Sequence, residues 1–187
     1  MTQGSRSRTP AMLTVGTVVW LASELMFFGG LFAAYFTLRS ETAVWPPAGV
    51  ELETTLSATF TVVLIVSSGT IHMAGKALER GDRAGVQRWI VITFVLGGLF
   101  LANQIREFLV NDFSISSNAY GSIYYLMTGF HGLHVAAGLI LLMIALAMVI
   151  NAGTLERRTP AVESVTYYWH FVDVVWVGLF TTIFLIR

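Results

Sequence analysis

The chain has 187 residues, no cysteine and a formal net charge of zero; 55% of its residues are hydrophobic and 12% are charged. Its mean hydropathy of +0.70 exceeds what a soluble domain needs to cover its surface, so most of the chain is expected to be solvated by lipid. The lack of cysteine excludes disulfides, iron–sulfur clusters and thiolate metal sites, and the zero net charge argues against a nucleic-acid partner.

Charged residues divide the apolar sequence into five segments, each near or above the roughly 20 residues that a helix needs to cross a membrane. The polar N-terminus, 1–10, precedes an apolar stretch that is too long for a signal-peptide core. The predicted fold is an all-α integral membrane bundle, with a single domain over residues 1–187. Its five predicted transmembrane spans are Met12–Leu38, Thr54–Leu78, Trp89–Leu109, Tyr120–Ile150 and Ser164–Ile186.

The first span contains one acidic residue, Glu24, among bulky apolar residues and with only Ser23 as a polar neighbour. A charged carboxylate is costly in lipid, so Glu24 is expected to be neutral and to have a partner. Two roles stay open for it. One is a structural hydrogen bond to a neighbouring helix, and the other is a functional role as a proton relay or a lipid-headgroup contact.

The connection after the first span contains Trp45, Pro46 and Pro47 in succession. Proline fixes the backbone dihedral φ and removes a hydrogen-bond donor, so this connection cannot continue as a helix. It is predicted to be a stiff turn that carries an interfacial tryptophan.

The later spans also contain polar residues that are unusual in lipid. Each is expected to face the interior of the bundle and to have a partner, because an ionisable side chain at the membrane centre costs roughly 2.5–3.5 kcal/mol. Counting from the helix ends places them, with Glu24, in the half of the membrane nearer the N-terminal side, where they are predicted to form one polar cluster. These residues are His72, His131, His134, His170 and Asp173.

The histidine spacing allows more than one chemistry. His131 and His134 lie three residues apart on one helix, a spacing that can bind a metal, although a structural hydrogen-bonding role is favoured because no further ligand accompanies them. A haem held between histidines of facing helices is a further alternative. Asp173 is predicted to be structural, satisfied by His170 or by the indole of Trp169 on the same helix.

Small and aromatic residues indicate how the helices pack. Glycine pairs such as Gly97-Gly98 allow close approach between helices. Other small residues lie in the first and fourth spans, at Gly29, Gly30, Ala33, Ala34, Gly129, Gly132 and Gly138. Aromatic residues of the fifth span are predicted to be packing and interface anchors; they are Tyr167, Tyr168, Trp169 and Trp176.

Lysine and arginine are distributed unevenly between the two predicted sides. The side of the N-terminus collects Arg6, Arg8, Lys76, Arg80, Arg83, Arg88, Arg157 and Arg158, and the other side has Arg39, Arg106 and Arg187. Positive residues resist translocation, so the N-terminus is predicted to be cytoplasmic and the C-terminus outside. The outer face is predicted to be acidic and suited to a basic soluble partner, with Glu41, Glu51, Glu53, Glu107 and Asp112.

Two long motifs lie in the last two spans. The fourth span contains the run Thr-Gly-Phe-His-Gly-Leu-His-Val at 128–135, and about thirty residues later the fifth contains Tyr-Trp-His-Phe-Val-Asp-Val-Val-Trp at 168–176. These runs closely resemble the two C-terminal helices of cytochrome c oxidase subunit III. Glu24 after Ser23, the turn at 45–47 and His72 after Ser-Ser-Gly at 67–69 also fit this family, so the resemblance covers nearly the whole chain from about residue 20.

The resemblance implies a subunit without haem, copper or catalytic residues of its own, accessory to a cytochrome c oxidase. It implies direct packing against oxidase subunit I, which it stabilises and whose proton uptake it supports. Subunit II, small subunits and membrane lipids are further expected partners, and a larger respiratory supercomplex stays open. Haem and copper are expected in the partner subunits, and structural phospholipid on this chain.

The resemblance also suggests site residues. Glu24 corresponds to the family's intramembrane carboxylate. Residues at the family's polar positions, expected to contact lipid or neighbouring helices, are His72, His131, His134, Glu163, Trp169, His170 and Asp173. Long members of the family have seven helices, and this chain begins where their third begins. The lipid cleft enclosed by the missing pair is therefore expected to be open or filled by another subunit.

The expected function is that of a multi-pass subunit in a bacterial plasma membrane, in a complex that reduces oxygen, oxidises cytochrome c and pumps protons. Other functions stay open beside it. The same helices occur in subunit III of quinol oxidases and in homologues associated with nitric-oxide reductase, although the Trp45-Pro46-Pro47 turn favours the cytochrome c branch. An independent haem or metal enzyme and a proton-conducting transporter that uses Glu24 and Asp173 are alternatives from other classes.

Overall fold

The computed structural model describes residues 12–151, 153–155 and 159–186. Within them the structure contains no strand, and five segments of 26 to 32 residues are long and apolar enough to cross a membrane, since about 1.5 Å of rise per residue exceeds the roughly 30 Å of a hydrocarbon core. The helices are α1 (Met12–Ser40), α2 (Thr54–Glu79), α3 (Arg83–Val110), α4 (Ala119–Ile150) and α5 (Thr159–Phe180), which continues as a π-helical turn (Thr181–Leu185). The prediction of an all-α bundle with five such helices is confirmed.

Helix α3 begins earlier than its predicted span because a polar cap extends it beyond its apolar part. Helix α3 starts at Arg83 rather than at Trp89. The Asp82 side chain accepts a hydrogen bond of 2.9 Å from the backbone N–H of Gly85, which satisfies one free donor of the first turn. Gly81, with φ of +70°, makes the tight turn from α2. Helix α5 starts at Thr159 rather than at residue 164.

Helix α5 is the central element and packs against α1, α2 and α4. More than half of its apolar window, 56%, is buried, compared with 11% for α1. Helices α2 and α3 pack mainly on each other, and α3 also packs on α4. Helix α1 therefore lies at the edge of the bundle and presents most of its surface outward.

Trp169 of α5 contacts the three helices α2, α3 and α4. Its side chain is fully buried, and its indole N–H donates a 2.9 Å hydrogen bond to the hydroxyl of Ser67 on α2. The ring lies directly against Gly97 of α3 and Gly138 of α4, where an added Cβ would come within 2.5 Å and 2.9 Å of ring carbons. The indole thus occupies space that only glycine leaves free.

The π-helical turn at the end of α5 has an identifiable hydrogen-bond pattern. The backbone N–H of Ile186 donates to the carbonyl of Thr181 at 3.0 Å instead of to that of Thr182. The Thr182 carbonyl accepts a bond of 3.1 Å from the buried hydroxyl of Tyr35 on α1. The wider turn therefore frees an acceptor that joins α1 to α5.

The orientation of the bundle in the membrane is a testable prediction. We expect a tag after Arg187 to be accessible from outside intact spheroplasts, and a tag before Met1 to need permeabilisation, because eight of the eleven Lys and Arg residues lie on the predicted inner side. Five of the eleven lie outside the described residues: Arg6, Arg8, Arg157 and Arg158 of the predicted inner side, and Arg187 of the predicted outer side. Equal protection of both tags would contradict the five-span topology.

Candidate functional site

Glu24 of α1 meets His134 of α4 on the membrane-facing side of the bundle. Oε2 of Glu24 lies 3.1 Å from Nε2 of His134, and the two side chains are 23% and 15% exposed. The other ring nitrogen of His134, Nδ1, is 2.7 Å from the carbonyl oxygen of Phe130 in the preceding turn. Both ring nitrogens of His134 therefore have a polar partner.

This geometry determines how many protons the pair holds. The Phe130 carbonyl can only accept, so Nδ1 of His134 must carry a hydrogen. The contact between Nε2 and the Glu24 carboxyl then needs one proton, either on Glu24, which donates to the bare nitrogen, or on Nε2, which donates to the carboxylate. In both forms the pair is neutral overall, which suits its position in a membrane.

Aromatic side chains hold the pair in place. The hydroxyl of Tyr168 on α5 donates a 2.9 Å hydrogen bond to the backbone carbonyl of His134. Trp20 stacks on the ring of Tyr168, with centroids 5.4 Å apart, and Phe28 meets the imidazole edge-on at 5.1 Å. Helices α1, α4 and α5 all contribute, and the acid has the neighbouring-helix partner expected of a structural carboxyl.

His131 does not join His134, although the two are close in sequence. It is fully buried, its ring stacks on Trp176 of α5 at 4.9 Å, and Phe100 of α3 approaches its edge at 5.9 Å. Neither ring nitrogen makes a hydrogen bond within the described residues. Three residues turn a helix by about 300°, which leaves the two side chains about 60° apart. The His131 ring therefore packs against Trp176 of α5, and the His134 ring meets Glu24 of α1.

A cavity of 550 Å³ opens between α2 and α5 at the end near the α2–α3 turn. His72, Glu79, Glu163 and His170 contribute its ionisable lining. Of these, His170 bonds through Nδ1 to the hydroxyl of Ser68 at 2.7 Å. His72 was expected to face the interior of the bundle but is exposed in this cavity, because α2 turns its other side, with Ser67 and Ile71, towards the core.

Asp173 lies one turn further along α5 and is 5% exposed. It was predicted to bond His170 or the Trp169 indole, and this prediction was wrong: His170 bonds Ser68, and Trp169 bonds Ser67. The Ser68 hydroxyl lies beside the carboxyl and is a possible donor to it. Neither carboxyl oxygen, however, makes a complete hydrogen bond within the described part of the chain.

The predicted single polar cluster is therefore divided into separate sites. One site joins Glu24 and His134 between α1 and α4, His131 is enclosed with Trp176, and the remaining residues line the seam between α2 and α5. Among the described residues, no group of three or more histidine, aspartate or glutamate side chains is placed to hold one metal ion. The division follows from the direction of each side chain around its helix, which depth in the membrane does not specify.

Sequence reasoning missed a further buried acid, Glu107 of α3. It was assigned to the exposed acidic outer face, yet it is 7% exposed. Its carboxyl accepts hydrogen bonds from the hydroxyl of Ser57, from the amide of Asn103 at 3.4 Å and from the hydroxyl of Tyr124 at 3.5 Å. Asn103, four residues before Glu107 on the same helix face, was the available signal.

The neighbouring Arg106 points the other way. Its guanidinium donates a 2.8 Å hydrogen bond to Glu53, and both side chains are about half exposed. This hydrogen bond, and then the positive charge of Arg106, hold the pKa of the Glu53 carboxyl below its usual value. An exposed pair of this kind contributes little to stability.

The turn that carries Trp45, Pro46 and Pro47 packs its tryptophan inward. The Trp45 ring meets Tyr35 of α1 and Tyr120 of α4 edge-on, at 5.4 Å and 5.0 Å. The Trp45 side chain is half-buried over the end of the bundle at which α1 finishes. Aromatic contacts on two helices account for this burial.

The helices and their internal contacts define an integral membrane bundle whose polar groups are mostly joined between its own helices. Comparison with known proteins also identifies a family of membrane proteins. The family profile described as Cytochrome c oxidase subunit III matches residues 4–186. The chain belongs to this family, which is the non-catalytic subunit of the oxidase, and it is part of an oxidase complex.

Several named relatives cover almost the whole chain. A protein of Nocardia farcinica named "Probable cytochrome c oxidase subunit 3" is 48% identical over 95% of this chain and 90% of its own length. "Cytochrome c oxidase subunit 3" of Corynebacterium diphtheriae is 41% identical over 95% and 90%. The protein of the same name from Thermostichus vulcanus is 38% identical over 95% and 89%.

Proposed function

We propose that the chain is the accessory subunit III of a cytochrome c oxidase in a bacterial plasma membrane. In this role it binds the catalytic subunit directly, with subunit II in the same complex, stabilises it and supports its proton uptake. It binds phospholipid, and it contributes no haem, copper or catalytic residue. Family membership supports the complex, and the contacts of the chain's own residues support the accessory role.

The observation that carries this role is the Glu24–His134 pair. A carboxyl that relays protons needs a path on both sides, whereas this pair has its second imidazole nitrogen closed by the Phe130 carbonyl. Its backbone is fixed by Tyr168. The pair joins α1 to α4 as a neutral unit, so it is suited to hold a helix at the edge of the bundle.

Purification of the tagged chain from its own membranes tests the proposal. In mild detergent we expect mass spectrometry to find a haem-copper catalytic subunit and a subunit II. After dissociation, we expect no stoichiometric haem, copper or iron on this chain, since it lacks thiolates and no group of three histidine, aspartate or glutamate side chains in the described part of the chain is placed to hold one metal ion.

Two outcomes would overturn the proposal. Recovery of the chain without a catalytic oxidase subunit would contradict the accessory role. One tightly held haem per isolated chain would instead support the alternative that the chain is an independent haem protein. The sequence of the co-purified subunit II separates the oxidase branches, because only a cytochrome c oxidase needs a copper-bearing domain that accepts electrons from cytochrome c.

A further inference from the structure

Two adjoining cavities follow the seam between α2 and α5. The first, here called the polar cavity, is the cavity of 550 Å³ near the α2–α3 turn, and its lining includes His72, Glu79 and Glu163. The second, here called the apolar groove, measures 470 Å³ and continues along the same two helices to Val177. His170 lines both of them. The chemistry of the seam therefore changes from ionisable to apolar along the direction of the helices.

The apolar groove presents mostly carbon to the membrane. Its rim is formed by the exposed side chains of Ile65, Val174 and Val177. The polar side chains along it are engaged or covered, because the Ser68 hydroxyl makes a 2.7 Å hydrogen bond to an imidazole of α5 and the Asp173 carboxyl is buried. The groove covers about 10 Å along α5, and an acyl chain can occupy such a surface without leaving a polar group unsatisfied.

The polar cavity lies at the depth of the lipid headgroups. Glu79 is the last residue of α2, and Glu163 lies about 6 Å from the start of α5. Each of these two spans has 26 residues and is about 39 Å long, so its ends extend beyond a hydrocarbon core of about 30 Å. The acids therefore lie near the membrane surface, whereas the apolar groove lies within the core.

The charge of the polar cavity selects a cation. Glu79 is exposed and Glu163 is half-buried, and no lysine or arginine of the described chain lines the cavity. Lys76 and Arg80 are exposed on either side of Glu79 in the sequence, so positive charge suited to a phosphate lies beside the cavity. A group that carries an ammonium next to a phosphate is complementary to this arrangement.

A groove between α3 and α4 differs from the seam in this respect. Its lining includes Phe94, Ile140 and Met143, and no acidic, basic or histidine residue of the described chain contributes to it. Such a surface offers contacts to acyl chains but none that distinguish one headgroup from another. It provides an internal control for the seam.

We propose that the seam between α2 and α5 binds a phospholipid with a primary-ammonium headgroup, of the phosphatidylethanolamine class. The ammonium occupies the polar cavity and donates hydrogen bonds to Glu79 and Glu163, and one acyl chain occupies the apolar groove. A choline headgroup has no N–H to donate, and a glycerol headgroup has no positive charge. This inference rests on the proposed function, which includes phospholipid binding, and it adds the site and the headgroup that the site selects.

Photolabelling of the intact oxidase complex tests the site. The probe is phosphatidylethanolamine with a diazirine in one acyl chain, and mass spectrometry locates the label. We expect label on Val174 and Ile65, and we expect unlabelled phosphatidylethanolamine to compete at least about tenfold better than phosphatidylcholine or phosphatidylglycerol with the same acyl chains. Labelling of the control groove at Ile140 is expected to show no such preference.

Two results of this experiment would overturn the inference. Label that reaches Ile140 but not Ile65 or Val174 would show that the seam does not hold the lipid, as when a helix of another subunit fills it. Equal competition by the three lipids at the seam, or stronger competition by phosphatidylglycerol, would contradict the role of the two acids.

Substitution of both acids gives an independent measurement. In the double variant Glu79→Gln, Glu163→Gln we expect the tenfold preference for phosphatidylethanolamine at the seam to fall to within about twofold. The matched control is Glu51→Gln, which removes an exposed acid at the opposite end of the bundle and is expected to keep the preference. A preference that persists in the double variant would contradict the proposal. If the double variant does not assemble, the competition on the unsubstituted chain decides.

The two proposals fail in different ways. If the unsubstituted chain does not co-purify with oxidase subunits, the accessory function itself is wrong. If it co-purifies and the seam shows no preference for the ammonium headgroup, the function stands and the assigned lipid site is wrong.

Discussion

Glu24→Lys is expected to lower the retention of this chain on the catalytic subunit by at least about tenfold. The substitution replaces a neutral pair with an ammonium group against His134, in a membrane segment where a central cation costs roughly 2.5–3.5 kcal/mol. Helix α1 has the least buried apolar window of the five, so few other contacts offset the loss. The amount of co-purified chain and the initial oxidase turnover in the same membranes measure the effect.

Two milder substitutions separate packing from proton chemistry at the same residue. In Glu24→Gln the amide N–H can donate to a bare Nε2 of His134, so volume and hydrogen bond are kept and assembly is expected to be nearly normal. In Glu24→Ala the contact is lost and a cavity is left, so retention is expected to fall, though less than for lysine.

The proton-to-electron ratio decides between the two roles of Glu24. Normal pumping by the Glu24→Gln oxidase would agree with a structural pair. If this variant assembled normally but lost pumping from the first turnovers, Glu24 would belong to the proton route itself. The accessory role derived from the closed His134 contact would then be wrong.

Gly97→Val is expected to destabilise the bundle by about 1–3 kcal/mol or more, as overpacking of a filled core does. A Cβ at this position would lie 2.5 Å from Trp169, and the indole cannot move away without breaking its bond to Ser67. The thermal midpoint of the detergent-solubilised complex and the yield of assembled subunit are the measurements.

Gly98→Val is the matched control, since a Cβ there would meet no heavy atom within 4 Å. The control makes the same chemical change in the same helix, one residue away. We expect its thermal midpoint to stay close to that of the unsubstituted protein. Similar losses for both variants would show that valine disturbs the helix itself, and the contact with Trp169 would not be the cause.

Several features of the fold could be predicted from the sequence because they depend on local composition. Each long apolar segment must satisfy its backbone within itself in lipid, so the segments between charged residues had to be helices. The family could also be predicted, because its motifs at 128–135 and 168–176 are contiguous. Helix ends were less accurate, since a cap such as Asp82 lies outside the apolar pattern.

The partners of the polar residues could not be predicted in the same way. Glu24 and His134 are 110 residues apart, and only the packing of α1 on α4 brings them together. Glu107 was assigned to a loop surface because its position near a helix end does not reveal that Ser57 and Tyr124 enclose it. The sequence of α3 contains Gly97 and Gly98 side by side, and it does not show which of the two faces Trp169. In the structure Gly97 does and Gly98 does not.

The sequence by itself determined a five-helix membrane protein of the subunit III family, because hydropathy and contiguous motifs act over neighbouring residues. The tertiary structure decided that Glu24 is paired with His134, that the Asp173 carboxyl is buried in the seam between α2 and α5, and that His131 and His134 are separated. The reason is geometric: a residue's depth in the membrane follows from counting along the chain, but its direction depends on how each helix is rotated against its neighbours.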